Sequence, residues 1–95
     1  MQNQVLYPAI AKEYDDDGHY FVVTSPNVQG MVVEGDTLDE AIEEASYDIA
    51  DWFEVKGKIE DPVDHSDWHL GKDEKLVYVP VNLTNFYKKY GETEK

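Results

Sequence analysis

Gly35 to Gly57, GDTLDEAIEEASYDIADWFEVKG, is the stretch that decides how this chain folds. Its spacing predicts one amphipathic helix. Thr37 followed three residues later by Glu40 fits a capping box, in which side chains satisfy backbone N–H groups that the first helical turn leaves unpaired. Asp36, Asp39 and Glu40 place negative charge at the positive end of the helix dipole. Leu38, Ala41, Ile42, Ala45, Ile49, Trp52 and Phe53 recur at three- and four-residue intervals and make one apolar stripe. Gly57 suits the left-handed geometry that ends a helix, and Pro62 blocks a restart.

The opposite side of that helix is unusual. At about 100° per residue, Glu40, Glu43, Glu44, Asp51 and Glu54 surround Tyr47, with no Lys or Arg among them. The i,i+4 pairs Glu40/Glu44 and Glu44/Asp48 are like-charged, and each costs roughly 0.2–0.5 kcal/mol in an isolated helix. One reading is a solvated face that keeps the protein soluble. The other is a docking face for a basic partner, with Tyr47 near its centre.

Working outward, Val5 to Tyr14 reads as a first strand, His19 to Thr24 as a second and Met31 to Glu34 as a short third. The helix follows, then a fourth strand over Leu76 to Val81 and a short final helix over Leu83 to Tyr90, capped by Asn82 or Thr84. Pro8 and Pro80 cannot donate to a ladder, so their N sides must face solvent or a bulge. Asp15-Asp16-Asp17-Gly18 is turn chemistry; the alternating oxygen ligands of a calcium loop do not follow it. The fold class expected is α+β, in the order β-β-β-α-β(-α), one sheet with the long helix on one face. The connection from the third strand to the fourth is expected to be a right-handed crossover. Strands one, two and four are apolar at both odd and even positions, so the second sheet face needs the last segment, a second copy or a partner to cover it. Self-association follows as an expectation.

Composition narrows the function classes. Ninety-five residues suit one small domain with a thin core. There is no cysteine, hence no disulfide and no thiolate-bound zinc. Nothing in the sequence reads as a signal peptide or a membrane span, and a cytoplasmic protein is expected. Twenty-one acids face eight bases, for a net charge of -13. From Glu13 through Val55 there are thirteen acids and no Lys or Arg. Phosphate neutralisation needs a basic surface, so direct nucleic-acid binding is not expected. A cationic protein partner is, because complementary fields speed encounter.

Catalytic patterns are weak. Ser25, Ser46 and Ser66 lack the Gly-x-Ser-x-Gly setting of an activated nucleophile. His65 and His69 have a helical metal-pair spacing beside Asp61, Asp64 and Asp67, but Pro62 and Gly71 bracket them and favour an irregular acidic loop. The element order matches part of a ribonuclease-H-like architecture, whose two-metal chemistry needs convergent carboxylates. Val5–Ala11 and Leu76–Val81 carry no Asp or Glu. No enzymatic activity, catalytic residue, cofactor or metal is expected; a residual metal-dependent nuclease is the enzyme alternative.

Four motifs in order, Tyr7-Pro8-Ala9, then Gly18-His19-Tyr20-Phe21, then Pro26-Asn27-Val28-Gln29-Gly30, then Gly35-Asp36-Thr37 with Glu40-Ala41, resemble the HicB family of antitoxins. Val79-Pro80-Val81-Asn82-Leu83 and Lys88-Lys89-Tyr90-Gly91 resemble that family's last strand and exit segment. The resemblance reaches Gly91 and is weakest from Val55 to Lys75. The family often has P-D-L-P-G at the 26–30 turn and Cys where Met31 stands. It implies a HicB-like antitoxin domain over 1–90 with a disordered 91–95 tail. The implied function is to bind and neutralise a HicA-like toxin, a small basic mRNA-cleaving ribonuclease. Many members continue into a DNA-binding domain; this chain stops at Lys95, so it is expected to be the toxin-binding domain alone or a shortened sequence. An orphan regulatory oligomer is the non-enzymatic alternative. From the residues, the acidic face (Glu40, Glu43, Glu44, Tyr47, Asp51 and Glu54) is the candidate partner-binding site, with the open sheet face and the 55–75 loop as the alternatives.

Overall fold

A computed structural model describes residues 4–15, 18–28, 30–58 and 68–90. The order is β1 (Gln4–Tyr14), β2 (Tyr20–Thr24), β3 (Val32–Gly35), α1 (Leu38–Lys56), β4 (Glu74–Asn82) and α2 (Thr84–Tyr90). The strands form one antiparallel sheet in the spatial order β3-β2-β1-β4. Each expected element is present, with strand ends shifted by one or two residues. The 91–95 tail and the 59–67 part of the acidic loop lie outside the described residues.

The start and stop of α1 follow the local chemistry. The Thr37 hydroxyl accepts the Glu40 N–H at 3.1 Å. Glu40 Oε1 accepts the Asp36 N–H at 3.1 Å, so the reciprocal bond of the box lands one residue earlier than its usual form. Gly57 takes φ 75° and sends its N–H to the Phe53 and Glu54 carbonyls, while the Lys58 N–H also reaches Phe53. α2 starts with the Asn82 side chain accepting the Thr84 N–H at 2.8 Å, which selects Asn82 between the two expected caps.

Period-two alternation separates the two sheet faces. Tyr7, Ala9 and Ala11 of β1, Val23 of β2, Val33 of β3 and Val79 and Val81 of β4 are buried in one cluster with Ala41, Ala45, Ile49 and Phe53 of α1. Leu38, Ile42 and Trp52, the rest of the expected stripe, pack against that cluster. Tyr7 meets Phe53 edge to face at 5.6 Å between centroids and Trp52 at 6.4 Å. The tyrosine of the Tyr-Pro-Ala motif is therefore a core residue. α2 joins the same side: Phe86 is buried in the cluster, and the Tyr90 hydroxyl donates to the Glu54 carbonyl.

Two expectations change. The β3–α1–β4 connection joins the two outer strands, which run antiparallel to each other, so it is not a parallel crossover and the handedness rule does not govern it. The final helix packs beside α1 and so does not cover the second sheet face, where several described side chains stay exposed. Leu6, Val32 and Tyr78 are 58%, 65% and 49% exposed there, beside Ile10, Leu76 and Pro80.

The prolines are placed where a missing N–H costs no ladder bond. Ser25 Oγ donates to the Pro8 carbonyl at 3.1 Å from the β2 side, beyond the last β1–β2 pair at Ile10 and Thr24. The Pro8 nitrogen points the same way, past the end of that ladder. The Glu13 N–H bonds the Asp73 carbonyl, which fixes the alternation between β1 and β4 and turns the nitrogen of Pro80 to the outer edge.

Gly35 shows why the helix start needs a glycine without a left-handed φ. A Cβ there would lie 2.4 Å from the Ala41 nitrogen and 2.9 Å from its Cα, so β3 passes directly beneath the first turn of α1. Gly35→Ala should lower unfolding stability by about 1–3 kcal/mol, the usual cost of forcing extra volume into a packed site. Chemical denaturation followed by circular dichroism measures it; unchanged stability would mean that the helix start shifts freely.

Candidate partner-binding surface

The turns of α1 that bury Ala41, Ala45, Ile49 and Phe53 place the acidic residues outward. Glu40, Glu43, Glu44, Tyr47 and Asp51 are exposed, and Glu54 is half-buried. All six therefore share one outer face, as their spacing predicts. Their local roles differ. Glu40 is engaged in the cap, and the Glu54 backbone holds α2. Tyr47 is 57% exposed, and its hydroxyl donates to Glu43 Oε2 at a long 3.3 Å. The Glu43 charge, then that hydrogen bond, slight burial and Glu44 push the Tyr47 phenol above its ordinary range. No acid on α1 has an ion-pair partner among the described residues. The face is an uncompensated negative field around an exposed ring.

Beside this face lies a groove of about 270 Å³ that sequence reasoning did not single out. Val28 and Met31, from the β2–β3 connection, form one wall, and Trp52 and Val55 of α1 form the other. Asp48 and Asp51 stand at its rim. The sequence reading used Trp52 as a stripe residue and Asp48 only as a like-charge neighbour. The available signal was Val55, an apolar residue outside the stripe, which is 86% exposed.

Other candidates have structural roles or lie elsewhere. Ser25 is buried and bonded to Pro8, and its Oγ also accepts the Asn27 N–H at 3.2 Å, which closes the turn. Among the described residues, no group of three or more His, Asp or Glu is placed to hold a metal. His69 is exposed; Asp61, Asp64, His65, Ser66 and Asp67 lie outside the described residues. No described helix is long and apolar enough to cross a membrane. At the far end of the sheet, His19 Nε2 contacts Glu13 Oε2, and that bond, with the charges of Glu13 and Asp15, raises the imidazole above its ordinary 6.5.

No known protein-family model matches the chain, and no curated protein matches it. Among solved structures, a chain described as a toxin–antitoxin complex from Streptococcus pneumoniae superposes with a TM-score of 0.61. The identity is 19%, over 97% of this chain and 76% of that one. At that identity the likeness establishes a shared fold.

Two measurements check the electrostatics. Glu44→Lys replaces two repulsive i,i+4 pairs by attractive ones and should stabilise the free protein by about 1 kcal/mol. A destabilised variant would mean that Glu44 has an unrecognised structural role. The raised His19 pKa means that its pairing stabilises the fold fully below pH 6.5 and that this contribution fades as pH rises through the folded-state value. In an NMR titration His19 should therefore titrate above 6.5, and Glu13→Gln should bring it down; an unshifted midpoint in that variant would remove Glu13 as the cause.

Proposed function

We propose that this chain is the antitoxin of a type II toxin–antitoxin pair, HicB-like in kind, and that it neutralises a small basic HicA-like mRNA-cleaving toxin. The acidic face of α1 contributes the docking surface. The observation that carries this reading is the exposed carboxylate face around Tyr47, with no ion-pair partner for it among the described residues. The motifs that resemble HicB antitoxins and the fold shared with a chain of a toxin–antitoxin complex support it.

The chemistry is direct. A ribonuclease that holds RNA phosphates presents a cationic surface. Carboxylates held on one rigid helix face compete for that surface, and long-range attraction speeds the encounter. Tyr47 supplies a rigid aromatic ring, of the type that dominates binding hot spots. Once bound, the antitoxin excludes RNA both by its bulk and by its charge. On this reading the chain performs no catalytic step, acts in the cytoplasm where mRNA is found, and uses a partial ribonuclease-H-like fold as scaffold only.

The open sheet face favours one further property, self-association. Leu6, Val32 and Tyr78 expose more apolar surface than folding requires. A second copy covering them would make a homodimer, with or without a toxin. Light scattering over a range of concentrations should show mass above one chain; a constant monomer mass would exclude it.

The decisive experiment co-expresses the chain with the product of the neighbouring reading frame. A basic ribonuclease should co-purify, and its RNA cleavage should be suppressed. The double reversal Glu43→Lys and Glu44→Lys, which spares the capping role of Glu40, should weaken that complex by about tenfold or more. Unchanged affinity would move the interface away from α1, and no basic neighbour would favour the orphan oligomer.

A further inference from the structure

We infer that the groove between Val28, Gly30 and Met31 on one side and the C-terminal half of α1 on the other seats one long cationic side chain, an arginine or lysine from a basic protein partner. This rests on reading the acidic face as a docking surface, and it names the element of the partner that the surface recognises.

The groove offers what such a side chain needs at both ends. Arginine and lysine carry a charged head on an apolar stem, and they bury the stem where apolar surface lies next to acceptors. Val28, Met31 and Val55 give the stem its walls, and Trp52 gives a flat ring. Asp48 and Asp51 line it as two carboxylates with no partner among the described residues, three residues apart on the same side of the helix. The chain demonstrates the chemistry with its own cation: the Lys56 ammonium lies 5.3 Å from the centroid of the Trp52 ring.

Folding explains Val28, Met31 and Trp52, which belong to the core or pack against it, but not Val55, Asp48 and Asp51. Val55 is an apolar side chain left 86% exposed, two residues and about 200° round the helix from the buried Phe53. Asp48 and Asp51 add like charge to a helix already overloaded with it, and neither caps nor bridges anything among the described residues. A second depression of about 500 Å³, lined also by Thr24 and the exposed Val32, shares Val28, Gly30 and Met31 with the groove. That leaves room for the segment that carries the seated side chain. A net charge of -13 selects a cation over a neutral or acidic occupant.

The test uses the full chain, isotope-labelled, at low salt. Peptide Ac-GGRGG-NH2 is titrated in, and the same peptide with citrulline in place of arginine is the control, since citrulline keeps the shape and loses the charge. With arginine, the Trp52 indole N–H and the Met31 and Val55 methyls should shift and saturate at millimolar concentrations. The citrulline peptide and the double variant Asp48→Asn, Asp51→Asn should each bind about fivefold more weakly, as two exposed ion pairs would give. Absence of saturable shifts at these groups overturns the inference. So does equal binding of the citrulline peptide, or a response centred on Glu43 and Tyr47 instead. The Glu43→Lys, Glu44→Lys complex assay separates the two readings: if those reversals break the complex while the groove ignores arginine, the docking face stands and the arginine seat falls.

Discussion

α1 lies so close on the sheet that a single methyl at Gly35 would overlap the backbone of Ala41. That closeness sets the rest of the molecule. Only Asp36 and Thr37 separate β3 from α1, so the helix axis is fixed by the end of the strand beneath it. Small residues, Ala41 and Ala45, occupy the near half of its underside, and Ile49 and Phe53 fill the space that opens toward Tyr7. With its whole apolar stripe committed to the sheet, the helix has no freedom to roll, and its carboxylates are held outward at fixed spacing. A rigid array of charges binds without first losing conformational freedom, which is where much of the cost of association otherwise lies.

The outward face runs against the stability of the helix that carries it. Like charges at i,i+4 weaken α1, while its caps and the burial of Phe53 and Ile49 strengthen it. Local strengths of this kind allow a like-charged face to persist although it opposes folding. The same tension appears on the open sheet face, where Leu6, Val32 and Tyr78 stay in water in the single chain.

Most of the fold was legible because short-range rules coincide here. The stripe from Leu38 to Phe53, the Thr37 cap and the Gly57 stop each repeat the same message, and all seven stripe residues reach the core or its margin. The antiparallel relation of β3 and β4 was not legible, since periodicity is blind to strand order. Neither was the side chosen by α2, which depends on the fit of Phe86 and on the Tyr90 hydroxyl finding the Glu54 carbonyl. The acidic face was readable from helical spacing alone. The groove beside it was not, because its second wall, Val28 and Met31, comes from a turn whose position only the folded sheet defines.

The ladder between β1 and β4 has a consequence in time. β1 is an inner strand, and its longest pairing, nine residue pairs from Gln4–Asn82 to Lys12–Glu74, joins the two ends of the chain. Contacts of such large sequence separation form late, after the entropy of closing a long loop has been overcome. A ribosome therefore exposes the N-terminal strand well before its last neighbour emerges, and until then Tyr7 and Ala9 lack the Val79 and Val77 that pair with them. The sheet is completed only once residue 82 has cleared the exit tunnel. Any recognition that needs the finished sheet therefore waits until synthesis has passed the fourth strand.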